Sequence, residues 1–454
     1  MASASEALVD HALAQTWEGL APDARRMAAV FLHDSLAVGA AGLRAPFADA
    51  IRASAAGWGR AEGAGCAVLG DAASGMPPAS AAFVNAFQIH GQEFDCVHEP
   101  AVVHPLATLA AVLLAEAQAG GRYDGASFLT ALSAGVDVSV ALGLAACSPL
   151  KFFRPATAGV FGCVAGLARL KRLDRQVALD AFGYALAFAS GTMQAHVEGL
   201  PTLPVQIAAA ARSALQAVDL AERGMPGPRG AIDGPFGYLA LFEDASELAG
   251  VLAELPSRRR IAEVSWKPFP TGRAAHGGIV ATRRLMAEHG LEAGALERLA
   301  YRAPPLIHRL VGRPVRGGMT PAYARLCLPY LAAVTLTRGT VGLADFSAGR
   351  LGDPAVLALA ARVEVLADAN PDPAAFTPAV ALATTRDGRE MCVDVHAQLG
   401  SPADPLSEAQ HLAKTRACLA FAGLEDRHAP LAGLMADFAG VDDVGAAIAE
   451  LLRP

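Results

Sequence analysis

The period of the apolar residues changes once along this chain and later changes back, and that switch restricts the fold more than any single motif does. From Glu6 to about residue 254 apolar side chains recur at helical spacing, with no convincing strand among them. Pro22-Asp23 makes a first turn for a helix through Leu36, and residues 63–78 deliver the chain into another helix beginning near Ala79. Residues 106–119 and 125–145 read as buried helices separated by Gly120-Gly121, and the Ala-rich run 207–222 is a further one. Between about 262 and 400 short extended runs alternate with helices. Residues 261–266 are an extended candidate, strands are expected at 299–307, 363–366, 379–384 and 391–395, and helices at 273–289 and 322–338. Asp387-Gly388 supplies the turn between the last two strands. Beyond a Pro-rich linker, Ser407-Glu-Ala-Gln410 has the pattern of a helix start, and the helical period returns up to Leu452. The expected fold is mainly α with an α+β part: a discontinuous all-helical domain from residues 1–261 and 401–454, and a smaller α+β domain over 262–400.

A chain of 454 residues exceeds the size at which one core stops growing, which agrees with two domains. Hydrophobic residues make up 53% and charged residues 18%, so extensive burial and an oligomer are expected. The most apolar stretches are rich in Ala and Gly, and the longer is interrupted by Asp137, so buried helices fit them better than membrane spans. The first residues lack the basic start and apolar run of an export signal, and the expectation is a cytoplasmic protein. Seven scattered cysteines without a CxxC pair point to reduced thiols rather than a disulfide framework or zinc site. Net charge is −7 with no basic block, which argues against a nucleic-acid partner and leaves a small anionic substrate open.

Against this apolar background, residues 90–104 hold three imidazoles, His90, His98 and His104, and three carboxylates, Glu93, Asp95 and Glu99. Pro100 and Pro105 prevent one continuous helix, so residues 98–104 should form a loop between helices, where functional side chains commonly sit. A His/Asp/Glu cluster is also a conceivable metal site, but the spacing matches no helical HExxH-type pattern, and no metal or cofactor is assigned.

Asp34-Ser-Leu-Ala-Val-Gly39, then Ala82-Phe-Val-Asn85 with His90, Asp95, His98 and His104-Pro105, resemble ordered segments of the MmgE/PrpD family, which includes 2-methylcitrate dehydratase, cis-aconitate decarboxylase and an iminodisuccinate epimerase. Gly159-Val-Phe-Gly162, Ser190-Gly191, Lys267-Pro-Phe-Pro270 with His276, Arg313-Pro314 and Gly400-Ser-Pro402 continue the resemblance nearly end to end. It implies a cofactor-free homodimer whose helical domain carries an α+β lid, with the active site in the cleft between them. Departures are equally specific. Glu93-Phe-Asp95-Cys96-Val97 stands where the family usually has Asp-x-Asp-Asp-Thr. Phe153-Arg154 replaces a second histidine, and Leu203-Pro204 and Leu310 fall where related branches carry a lysine and a tyrosine.

The resemblance and the residue chemistry together nominate His104 as base or acid, since imidazole titrates near neutrality. Lys267, in an apolar setting, is nominated as proton donor or carboxylate clamp, with Asp95 and His98 as catalytic partners. Arg154, Glu93, His276, Arg273, His196 and Arg313 are the expected substrate-binding residues, Arg154 because a guanidinium forks onto carboxylates but is no base at neutral pH. His90 reads as structural, and Cys96 as a filler where the family has Asp. The expected reaction is proton abstraction next to a carboxylate of a small di- or tricarboxylate. A lyase ranks slightly ahead of an epimerase of amino- or imino-dicarboxylates, and a non-catalytic carboxylate binder is the rival from another class.

Overall fold

The computed structural model describes residues 3–451 except Glu62, Ala64 and Pro373, and only the backbone at 72–74. The chain forms two compact units, one of Met1–Met193, Thr202–Val264 and Glu408–Pro454, the other of Gln194–Pro201 and Ser265–Ser407. The short segment 194–201, read from sequence as part of the helical body, packs with the second unit.

The first unit is a helical body built round its most apolar sequences. The helices Pro105–Ala119 and Gly125–Ala145 are buried on nearly every face, so they are apolar all round rather than amphipathic. Gly125–Ala145 is long and apolar enough to cross a membrane by length and composition, with mean hydropathy 1.7, yet 94% of that window is buried inside the protein. Its one acid, Asp137, is wholly buried and accepts from His11 at 2.8 Å, Gln15 at 2.9 Å and the Arg260 amide at 2.7 Å. Such pairing is what lets a carboxylate stand in a core.

Strands are absent from the sequence expectation before residue 254, and here the structure differs. β1 (Cys66–Val68) and β2 (Asp71–Met76) form an antiparallel hairpin, turned at Gly70 with φ +82°. β2 is mostly Ala, Ser, Gly and Asp, residues with little strand propensity, and β1 is only three residues long. Side chains from the Pro78–Gly91 helix hold it instead: Asn85 accepts from Leu69 N at 2.8 Å and donates to Ala67 O at 3.2 Å, and Gln88 donates to Leu69 O at 2.8 Å.

In the second unit β3 (Leu296–Ala303), β4 (Val363–Ala367), β5 (Ala379–Thr385) and β6 (Glu390–Val395) form one sheet in the order β4-β3-β5-β6. β3 runs parallel to β4 and antiparallel to β5, which pairs antiparallel with β6 across the expected Asp387-Gly388 turn. The alternating burial of β5 and β6 places one face against a core that includes Ile279, Leu285, Tyr330 and Val334. Three boundaries move. β3 begins at Leu296 and ends at Ala303, because Pro304-Pro305 opens a helix at Pro305–Val311. The expected 322–338 helix divides into Pro321–Ala324 and Leu328–Arg338, and the extended candidate at 261–266 begins as a 3₁₀ turn, Arg260–Glu263.

Candidate active site

The Pro78–Gly91 helix is fixed before it reaches the ionisable stretch. Gln88 also donates to Gly39 O at 3.0 Å, and Gln92, just beyond the helix, to Ala41 O at 3.3 Å, so both ride on the Pro22–Gly42 helix. The chain then turns sharply at Glu93, which donates its amide to His90 O at 2.8 Å and takes a left-handed φ of +52°, a costly conformation for a residue with a Cβ. The turn sends Asp95 back under the helix end.

There Asp95 holds two imidazoles. His104 Nδ1 lies 2.8 Å and His90 Nδ1 3.1 Å from Asp95 Oδ2, and the two rings meet edge to face with centroids 4.8 Å apart. A carboxylate only accepts, so each ring donates from Nδ1, and Nε2 is the basic nitrogen of neutral His104. The side chains differ in access: His104 is 13% exposed, His90 1% and Asp95 0%. His104 is therefore the ring that can meet a ligand, with His90 and Asp95 behind it. His90 Nε2 lies 3.4 Å from Glu93 Oε1, so both of its nitrogens face carboxylate oxygens.

His98, expected to orient either His104 or the loop, braces the loop. Its backbone pairs with Val103, its Nδ1 accepts from Ala101 N at 3.2 Å, and its Nε2 stands 3.3 Å from Glu263. Burial pushes the His98 imidazole pKa down. Burial works to raise Glu263, but hydrogen bonds from His98 and Arg260 outweigh it and hold that carboxyl down at about 2. The loop ends at Pro105, the first residue of the Pro105–Ala119 helix, which leaves His104 at the helix entrance.

Arg154 has a different neighbour from the expected substrate. Its guanidinium grips Glu243 through two 2.9 Å bonds and donates to Ser148 O at 2.7 Å, and both charged side chains are buried. The side chain beside the imidazole pair is Phe153, whose ring centroid is 6.0 Å from that of His90.

The remaining candidates lie in the second unit. Lys267 is fully buried between Trp266 and Pro268. Its backbone is anchored by the Trp266 amide, which donates to Gly400 O at 2.8 Å, and Gly400 takes φ +89° with room for no Cβ beside Trp266 O. Arg273 donates to Trp266 O at 3.1 Å and Leu399 O at 2.7 Å and meets His276 Nδ1 at 3.2 Å, while His276 packs edge-on against Phe269. Arg273 and His276 thus brace the Lys267 segment. Arg313 donates to His196 O at 2.9 Å and lies over the Tyr323 ring.

The structure therefore gathers Glu93, Asp95 and His104 with His90, a residue that sequence reading set aside as structural. Its position in the His90-x-x-Glu93-x-Asp95 run was the available signal. Lys414, buried against Asp34, was missed altogether. Donor atoms of His90, Asp95 and His104 lie within 4.8 Å of one another and are of the kind that bind divalent cations, though both Nδ1 atoms are engaged on Asp95 and a cation would displace those bonds. As arranged, the cluster suits general acid–base work: Asp95 orients His104 and stabilises the imidazolium formed when Nε2 takes a proton.

The chain is thus a two-part protein, a helical body carrying a buried imidazole–carboxylate–imidazole cluster and a second unit built on a mixed four-stranded sheet. The chain belongs to the MmgE/PrpD family: the family's N-terminal domain matches residues 6–251 and its C-terminal domain residues 269–430. Among curated proteins it is similar to the cis-aconitate decarboxylase of Homo sapiens, 27% identical over 305 residues, covering 64% of this chain and 62% of that protein. The Mus musculus cis-aconitate decarboxylase is 26% identical over 308 residues, covering 64% and 61%. The match thus spans less than two thirds of either relative's length.

Proposed function

We propose that this protein is a cofactor-independent lyase acting on a small di- or tricarboxylate at the carbon next to a carboxylate. The observation that carries the reading is the 2.8 Å bond from His104 Nδ1 to the buried Asp95 carboxylate, which makes Nε2 of the more accessible imidazole the basic nitrogen. In a dehydration, Nε2 takes the proton from that carbon, the electron pair moves into the adjacent carboxylate, and its return expels a β-hydroxyl that leaves as water after protonation. In a decarboxylation the order inverts: CO2 leaves, the electron pair stays on carbon, and protonated His104 delivers the proton. The cis-aconitate decarboxylases make the second case worth testing first. Lys267 is kept in this reading as the second ionisable group, as proton donor or carboxylate clamp. A homodimer and a small anionic substrate are part of this reading, as the family resemblance implies.

Epimerisation is the second reading, and Phe153 favours it. An apolar ring stands beside His90 where an acid for a departing hydroxyl would be useful, and returning a proton to the opposite face needs no such acid. Proton NMR of the purified protein in D2O with C4 to C7 di- and tricarboxylates, cis-aconitate and imino diacids included, tests both. Appearance or loss of an olefinic signal is the expected outcome. Deuterium entering carbon without net consumption would replace the lyase with an epimerase. Silence across the panel, with melting raised by the same anions, would leave only a binding protein.

A further inference from the structure

Behind the imidazole pair lies a second buried charge cluster that the proposed chemistry does not use. Lys414, on the Glu408–Ala422 helix, places its ammonium 2.7 and 2.9 Å from the two carboxylate oxygens of Asp34 on the Pro22–Gly42 helix. The same nitrogen donates to the Phe94 carbonyl at 2.9 Å and stands 4.3 Å above the Phe94 ring. Side-chain exposures of 4% for Lys414 and 0% for Asp34 put the pair in the core. Of the ammonium's three donors, one goes to Asp34 Oδ2 and one to the Phe94 carbonyl, while Asp34 Oδ1 is held in ion-pair contact only. Around it stand His33 and His411, bonded to each other at 3.1 Å, and His428, which bonds Leu412 O.

A buried ion pair is seldom worth more than well-packed apolar side chains of the same volume, so stability alone is a poor reason for it. Its hydrogen bond to the Phe94 carbonyl supplies another. Phe94 lies between Glu93, held at φ +52°, and Asp95, the carboxylate shared by His90 and His104. A carbonyl pinned from the far side by a core lysine keeps that strained turn from relaxing, and the aim of Asp95 depends on the turn.

We propose that Lys414, neutralised by Asp34, is a positioning residue for the acid–base imidazole: by holding the Phe94 carbonyl it fixes the Glu93 turn and so keeps Asp95 bonded to His104. A helix near the C-terminal end thereby takes part in a cluster whose imidazoles and carboxylates, His90, Glu93, Asp95 and His104, come from the first quarter of the chain. This inference rests on the assignment of His104 under the proposed function, and its test reads the ring without substrate so that the two can fail separately.

The measurement is the 15N imidazole spectrum of histidine-labelled full-length protein, followed through pH, for the parent, Lys414→Met and Lys414→Arg. In Lys414→Met the His104 ring signals should lose the Nδ1-donating signature and titrate at a shifted midpoint. Turnover, where a substrate is found, should drop roughly 10- to 100-fold, the range a misplacement of about 1 Å produces. Lys414→Arg, which keeps the charge and a donor, should recover the ring signature in part. Should Lys414→Met fail to fold, Asp34→Asn/Lys414→Met removes both charges at nearly constant volume and gives the same reading. His104 signals unchanged in a folded variant lacking the lysine, whatever its melting temperature, would overturn the proposal. Altered ring signals in an enzyme whose rate His104→Asn does not affect would uphold the clamp and remove His104 from the chemistry.

Discussion

Two imidazoles on one carboxylate oxygen impose a division of labour that their types alone do not. His104 keeps partial access while His90 is closed in by Asp95, Glu93 and Phe153. His104→Asn should abolish turnover while leaving the melting temperature nearly unchanged, and Asp95→Asn should lower kcat by roughly 10²-fold or more, because the base loses its orienting acceptor. Steady-state kinetics beside thermal melts check both. Arg154→Met separates clamp from strut: with Glu243 left buried and unpaired, urea unfolding should show a loss of about 3 to 5 kcal/mol. A clamp would raise KM and leave stability alone. His104 and Asp95 were legible from their motif. His90 stood in the same run, but the direction it faces depends on a left-handed turn at Glu93, a non-glycine residue that gives no sequence sign of it.

At the scale of elements, the site is as firm as the seam between the Pro22–Gly42 and Pro78–Gly91 helices. A Cβ on Gly42 would fall 2.0 Å from Gln88 O, a backbone atom with nowhere to go. Gly42→Ala should therefore destabilise by about 1 to 3 kcal/mol in denaturant unfolding and disturb the His104 ring signals through the displaced helix. Helices of the body were readable from apolar period, and so were the strands of the second unit, whose β5 and β6 alternate cleanly. The β1–β2 hairpin was not, since Asn85 and Gln88 supply bonds that its own residues do not advertise.

Across the whole molecule, buried histidines tie stability to pH. Burial, with the charge of His411 second, pushes His33 down to about 3, and burial, with Lys414 second, pushes His411 down to about 4. Unfolded, both bind a proton near pH 6.5; folded, they refuse it until well below. Their contribution is thus complete above pH 6.5 and is lost as pH falls towards 4, at roughly 1.4 kcal/mol per pH unit for each histidine. His98, also pushed down by burial, acts in the same sense, while the Asp34 carboxyl, pushed up by burial against the pull of Lys414, opposes it. Calorimetry between pH 7 and 4.5 should show a falling melting temperature, and His411→Gln should flatten the slope. Activity should survive prolonged chelation, since the donors of the imidazole cluster are already engaged with one another.

Local signals in the chain determined the helical body, the strand-bearing second unit, the family and the choice of His104 with Asp95, because period, proline placement and motif spacing act over a few residues. What they left undecided was which charged groups pair. Arg154 with Glu243, His98 with Glu263 and Lys414 with Asp34 are separated by 89, 165 and 380 residues. A buried charge takes whichever opposite charge the packed core brings within reach, and only the tertiary structure decides which one that is.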